Sequence, residues 1–297
     1  CSVVCLLPQA YSNKLRLAAL EAPVFHTLWC LAAQRKGMVI KMKKKLIGTI
    51  LTLLCTGVVA FSGWQVYKIM SEYQSGEKVY LELEEYVSPP TEEKNTDHQT
   101  ESSESENKTI LPVVEFEKLK SINNDFVAWI YCEGTAINYP VVHYKDNTYY
   151  LKHMFDGSYN SAGCIFLDCR NSSDFTDENN IIYGHHMKNN SMFSSITKYK
   201  QQAYYDEHPE LLLMTPEQNF KIELFSGYVA NVEDEAWQLI FDSEEDRAVW
   251  IERTIEKSTF NSPVIPAATD KIITLSTCSY EFDNARYVLT GVLTPIE

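Results

Sequence analysis

Several large functional classes are excluded by what this sequence lacks. It has no surplus of basic residues: 26 Lys and Arg stand against 40 Asp and Glu, a formal net charge of −14. A nucleic-acid binder needs a basic footprint, so that class is set aside. The eight cysteines (Cys1, Cys5, Cys30, Cys55, Cys132, Cys164, Cys169 and Cys278) contain no CxxC and no paired metal spacing. A zinc site is therefore not expected, and no other metal or cofactor is implied. No internal repeat is present. Cys164 and Cys169 are five apart, so in one regular strand they face opposite ways; buried free thiols are the expected state and a disulfide the alternative.

Aromatic residues, by contrast, are plentiful. With 18 Tyr and 13 Phe in 297 residues, the chain can build one sizeable core and carry appendages. Residues 1–41 do not begin with Met and have no clean periodicity; they read as a doubtful upstream extension or a cytoplasmic tail. Residues 42–68 open with Met42 and the basic run Lys43-Lys44-Lys45, followed by an uncharged apolar stretch over 46–64. That stretch is long enough to span a bilayer core. Basic residues before it and acidic ones after it predict a cytoplasmic N-terminus and an extracellular remainder. A cleaved signal peptide is the rival reading. The length of the run and the lack of an A-x-A site favour an uncleaved single-pass anchor.

Residues 69–110 read as a stem and a flexible acidic linker. Ser, Thr, Glu, Asn and Pro dominate its second half, which cannot bury enough apolar surface to offset the entropy of ordering. The folded domain is expected over 111–297. Phe116, Leu119 and Ile122 mark a short helix. Strands are expected over 127–131, 137–142, 163–168, 181–183, 211–214, 220–229, 272–278 and 286–293. A helix is expected over 243–258, capped by Ser243, with Ala248, Ile251 and Ile255 on its apolar stripe. Many short strands with turn signals and few helices predict a mainly β fold, a closed barrel of about eight strands with peripheral helices.

The chemistry gathers at two places. In Thr274-Leu275-Ser276-Thr277-Cys278 side chains alternate, so Thr274, Ser276 and Cys278 share a face. A tight return strand carries Arg286 eight residues after the cysteine. If the hairpin closes symmetrically, Cys278 lies opposite Arg286. A neighbouring cation favours a thiolate, and the thiolate is the nucleophile. The same guanidinium suits the oxyanion formed when a thiolate attacks a carbonyl. Upstream, the apolar run Ile181-Ile182-Tyr183 meets Gly184, and His185 follows at once. Gly184 permits a sharp turn that aims His185 away from the strand. A thiol nucleophile needs such a proton partner.

These motifs, in the order Gly-His, Cys, Arg, resemble the sortase family. The Tyr183-Gly184-His185-His186-Met187 form and the helix before the cysteine strand resemble class B. The resemblance spans 111–297 and includes the pattern Trp129-Ile130, Gly134-Thr135, Ile137 and Tyr139-Pro140-Val141-Val142. It implies a cysteine transpeptidase in a sortase-type barrel. Cys278 matches the nucleophile, His185 the proton donor and later base, and Arg286 the residue that holds substrate and stabilises the oxyanion. Ser276 and Thr277 are assigned to binding the sorting peptide. The implied partners are surface proteins bearing a C-terminal sorting signal and an amine of a peptidoglycan precursor or cross-bridge, at the cell membrane of a Gram-positive organism.

Alternatives remain open at this level. Another sortase class, such as a pilin-polymerising enzyme, is one, although no Asp-Pro-aromatic tripeptide precedes the barrel. A papain-like protease is another, although there the cysteine precedes the histidine. A membrane-tethered binding module is the non-enzymatic reading. Glu281 and Asp283 lie in the loop after the cysteine; a solvated turn carboxylate is the expectation for each, and orienting His185 as a third group the alternative. His186 is read as a bystander, Tyr183 and Leu275 as barrel packing, and His143, His153 and His208 as surface residues.

Overall fold

The computed structural model describes residues 10–88 and 111–296. Most of the acidic linker expectation falls on 89–110, outside the described residues. Two compact units divide the chain, Cys1–Ile69 and Met70–Glu297. Helix α1 runs over Ala10–Glu84. By length and composition Trp29–Glu84 qualifies as a membrane-crossing candidate.

Within the second unit, the end of α1 packs on the barrel. Tyr80 and Leu83 are buried, one helical turn apart on the same face. The Tyr80 hydroxyl donates to the Gly163 carbonyl. Asn160 donates to the Glu72 carbonyl at 2.9 Å, and the Glu72 carboxylate accepts from the Ser161 amide at 2.8 Å. The compact unit thus starts upstream of Leu111. Two short strands, β1 (Val87–Ser88) and β2 (Val113–Val114), pair with each other. Helix α2 follows at Phe116–Ile122 with Leu119 buried.

The barrel is built from β3 (Phe126–Tyr131), β4 (Asn138–His143), β5 (Ile165–Leu167), β6 (Asn179–Tyr183), β7 (Glu210–Met214), β8 (Asn219–Asn231), β9 (Ile272–Cys278) and β10 (Ala285–Ile296). It closes in the order β10-β8-β7-β3-β4-β5-β6-β9. Closure leaves none of these eight strands as a free edge. Two parallel contacts, β4 with β5 and β6 with β9, sit among antiparallel ones. The β6–β9 contact sets the ends of the histidine strand and the cysteine strand side by side. Between β6 and β7 lie a 3₁₀ stretch, Phe193–Lys200, and the short helix α3, Gln202–Glu207.

Alternation along β9 splits its side chains between two environments. Ile273 and Leu275 enter the main core. Ile272 faces the other way, into a second cluster with Phe225, Phe241, Trp250, Ile251 and Val292. Helix α4 (Glu244–Glu256) supplies Trp250 and Ile251 and so covers this outer face. Ser243 caps it, accepting from the Asp246 amide at 3.1 Å. The buried stripe of α4 is Arg247, Trp250, Ile251 and Thr254; of the expected stripe Ile251 is buried, whereas Ala248 is half-buried and Ile255 exposed. The reason is polar: the Arg247 guanidinium donates to the carbonyls of Ala268, Glu178 and Asp270, which turns that edge of the helix inward.

Cys132, Cys164, Cys169 and Cys278 are all free thiols. Cys164 is buried, and burial pushes its thiol up to about 12. The expected surface histidines are all partly covered. His143 holds a buried Nε2 without a hydrogen-bond partner, His153 stacks on Tyr149 with centroids 4.0 Å apart, and His208 packs edge-on against Tyr204. Aromatic neighbours, invisible as local sequence pattern, draw the last two in.

Candidate active site

The outer face of β9 reads as a row: Ile272, Thr274, Ser276, Cys278. Ile272 lies under α4. Thr274 is fully buried and donates to the Asn179 side-chain oxygen at 2.8 Å. The Asn179 amide in turn donates to the Gln238 carbonyl at 2.9 Å. Asn179 therefore ties the segment after β8 down over the strand. Ser276, still buried, and Cys278, half-buried, come next in the row and line an open cleft of about 470 Å³. The cleft exists because the covering layer ends between Thr274 and Ser276.

Cys278 and Arg286 are register partners across the β9–β10 ladder. Side chains so placed are nearest neighbours on one face of the sheet, and both line the cleft, as does His185. The Arg286 guanidinium donates from Nη1 to the Ala285 carbonyl at 2.9 Å. Among the described residues it forms no ion pair, so its charge is not neutralised by a neighbouring carboxylate.

His185 follows Gly184, where a Cβ would lie 2.5 Å from Ile165 and 2.6 Å from the Phe193 ring. No side chain fits at that position, and the strand ends there. The Nε2 of His185 sits 2.8 Å from the Leu151 carbonyl. A carbonyl only accepts, so Nε2 carries the proton. The third group behind the histidine is therefore a backbone carbonyl. Glu281 does not take that place: it pairs with Lys200 and accepts from Ser279. Those contacts, the lysine first, hold its carboxyl down at about 2. It is an exposed loop carboxylate, as expected, that also carries an ion pair.

Ser276 lines the cleft, and its hydroxyl makes no hydrogen bond among the described residues. Thr277 also borders the cleft, but its hydroxyl is already committed to the Gly184 carbonyl at 2.7 Å. Leu275 is buried in the core as expected. Tyr183 is not only packing: it lines the cleft, and its hydroxyl donates to Asp168 at 2.9 Å. Asp168 is 0% exposed and also accepts two bonds from the Arg170 side chain, at 2.8 and 2.9 Å. Burial pushes the Asp168 carboxyl up, but the donors from Arg170 and Tyr183 outweigh it and hold it below the usual range. Phe166 of β5 adds to the walls, and Asn147, Leu151, Arg170, Val232 and Trp237 complete them. Asn147, Arg170 and Val232 come from loops and Leu151 and Trp237 from single 3₁₀ turns, where spacing carries no period that flags a wall residue.

Comparison with known proteins places this geometry. No family model matches the chain. A sortase B of Listeria monocytogenes is 30% identical over 252 residues, 84% of this chain and 98% of that protein. The chain belongs to the sortase B family. A Staphylococcus aureus sortase B is 34% identical over 179 residues, 60% of this chain and 73% of its own length. Among solved structures, an S. aureus sortase B–substrate complex superposes with a TM-score of 0.59 at 33% identity, covering 61% of this chain and 85% of that one. A sortase B from B. anthracis gives 0.64 at 31% identity, covering 76% and 100%. The barrel is thus the sortase fold, and the enzyme is a sortase-type cysteine transpeptidase.

Proposed function

We propose that this sortase B cleaves a C-terminal sorting signal after a threonine, holds the acyl part as a thioester on Cys278, and passes it to a peptidoglycan amine. The pairing of Cys278 with Arg286, in a cleft that His185 also lines, carries this reading. The thiolate of Cys278 attacks the threonine carbonyl carbon. The carbonyl oxygen takes the negative charge, and the unpaired Arg286 guanidinium stabilises it. Collapse breaks the C–N bond. The departing amine takes a proton from protonated His185 and leaves an acyl-enzyme. In the second half an amine attacks the thioester, His185 takes its proton, and the Cys278 thiolate leaves. Atoms and charge return to their starting state.

Leu151 gives this cycle a defined tautomer. Its carbonyl keeps a proton on Nε2 of His185, so Nδ1 is the nitrogen that gains and loses the travelling proton. Ser276, with a free hydroxyl on the same face as Cys278, binds the backbone of the sorting peptide. Thr277 serves the site by shape and by its tie to Gly184.

The apolar stretch over 46–64 serves as a single-pass anchor, with the basic flank in the cytoplasm and the barrel outside. The substrates are surface proteins carrying the sorting signal. The test is a transpeptidation assay, with the full chain in detergent, a panel of sorting peptides and an amine acceptor, read by mass spectrometry. Ligated product from wild type and none from Cys278→Ala is expected. Equal ligation by both proteins contradicts the reading.

A further inference from the structure

His186 does something the transpeptidation steps leave unassigned. Strand β6 pairs with β9 in parallel as far as Tyr183 and Ser276. Beyond Tyr183 the histidine chain turns away, yet its ties to β9 continue. The Gly184 amide donates to the Ser276 carbonyl at 3.1 Å. The Thr277 hydroxyl donates to the Gly184 carbonyl at 2.7 Å. Then the Nδ1 of His186 lies 2.9 Å from the Cys278 carbonyl. A carbonyl only accepts, so Nδ1 is the donor and carries the proton. The ring thus stands where the next backbone amide of the ladder belongs, two residues on from Gly184. The Tyr280 ring packs at a tilt against His186, centroids 5.3 Å apart.

We infer that His186 is a positioning residue for the transpeptidase: its imidazole substitutes for the missing ladder bond and fixes the Cys278 backbone relative to the neighbouring His185. The inference rests on the proposed roles of Cys278 and His185. The logic is geometric. A loop that displays His185 into the cleft must leave the strand, and leaving the strand forfeits the backbone bond that would hold the cysteine strand beside it. One side-chain donor restores that bond without pulling the loop back into the sheet. Because reacting groups must be held within a fraction of an ångström, losing the tie lowers turnover more than peptide affinity.

Asn offers a side-chain N–H at the same distance from the backbone as Nδ1, whereas Leu offers volume without a donor. The experiment compares wild type, His186→Asn and His186→Leu in the full chain. Acyl transfer from a sorting peptide is measured beside amide exchange over residues 276–284. The expected result is a fall of about ten- to a hundredfold in kcat for His186→Leu with KM little changed. Faster exchange over 276–284 accompanies it, and both are largely restored in His186→Asn. Wild-type kcat and exchange in His186→Leu overturn the inference. So does equal loss in both variants, which instead makes His186 a proton carrier or a folding residue. If wild type transfers no peptide, the proposed chemistry fails, and the exchange comparison still decides the tie.

Discussion

Cys278 and Arg286 are register partners on adjacent antiparallel strands, so a two-residue-period ladder sets the thiol beside the guanidinium. The turn between them needs no catalytic residue. Its task is to keep the register, because a one-residue slip sends both side chains to the opposite face.

Arg286→Lys keeps the charge but loses the planar fork that matches an oxyanion and a peptide carbonyl. Removing an oxyanion donor costs about 10²- to 10³-fold in turnover. Arg286→Ala is expected to lose that much kcat, and Arg286→Lys to recover only part. Steady-state kinetics on one sorting peptide check this. Equal rates for Lys and wild type make the contribution purely electrostatic.

Glu281 spends itself on Lys200 and Ser279, not on His185. Because the pair is partly exposed, it is worth no more than about 1 kcal/mol. Glu281→Gln is therefore expected to stay within roughly fivefold of wild-type kcat. With its carboxyl held down at about 2, the pair's contribution is present above the ordinary glutamate range and fades only as pH falls towards 2. A collapse of activity in Glu281→Gln at neutral pH makes it a triad member after all.

Gly184→Ala places a methyl 2.5 Å from Ile165 and 2.6 Å from Phe193. Overpacking of this kind costs about 1–3 kcal/mol. Here relaxation also moves the adjacent His185. The thermal midpoint should fall and kcat should fall further than stability alone explains, measured well below the melting range. Unchanged kcat shows that the loop absorbs the methyl without moving the histidine.

Asp168 is a buried carboxylate serving Arg170 and Tyr183. Asp168→Asn is expected to cost about 2 kcal/mol in urea unfolding at pH 7. The sign with pH follows from its lowered carboxyl. Its stabilising contribution is complete above the unfolded value of about 3.9 and is lost as pH falls through the lower folded value. The gap between wild type and variant should close below about pH 4. A gap that widens in acid assigns the effect to packing.

Much of this site is legible in the sequence because strands have a strict period. The alternation through Thr274, Ser276 and Cys278, with a short return to Arg286, specifies the facing pair. Gly184 before His185 marks the end of a strand. What stayed hidden depends on long-range polar contacts. Arg247 turns the buried stripe of α4 because it reaches carbonyls far along the chain. Tyr80 docks the end of α1 onto Gly163, whereas the local periodicity there is weak. His186 looks redundant beside His185 until the strand it bonds is known. Asp168 and Arg170 are two residues apart in a loop, where no repeat flags a bidentate pair.

The proposed function turns on acylation of Cys278 by a sorting peptide. Intact mass spectrometry tests it most directly, with the full chain in detergent, a panel of sorting peptides and no acceptor amine, beside Cys278→Ala. A thioester adduct is expected on the wild type only, hydroxylamine-labile and mapped to Cys278. Peptide cleaved equally by both proteins, or an adduct at another residue, contradicts it.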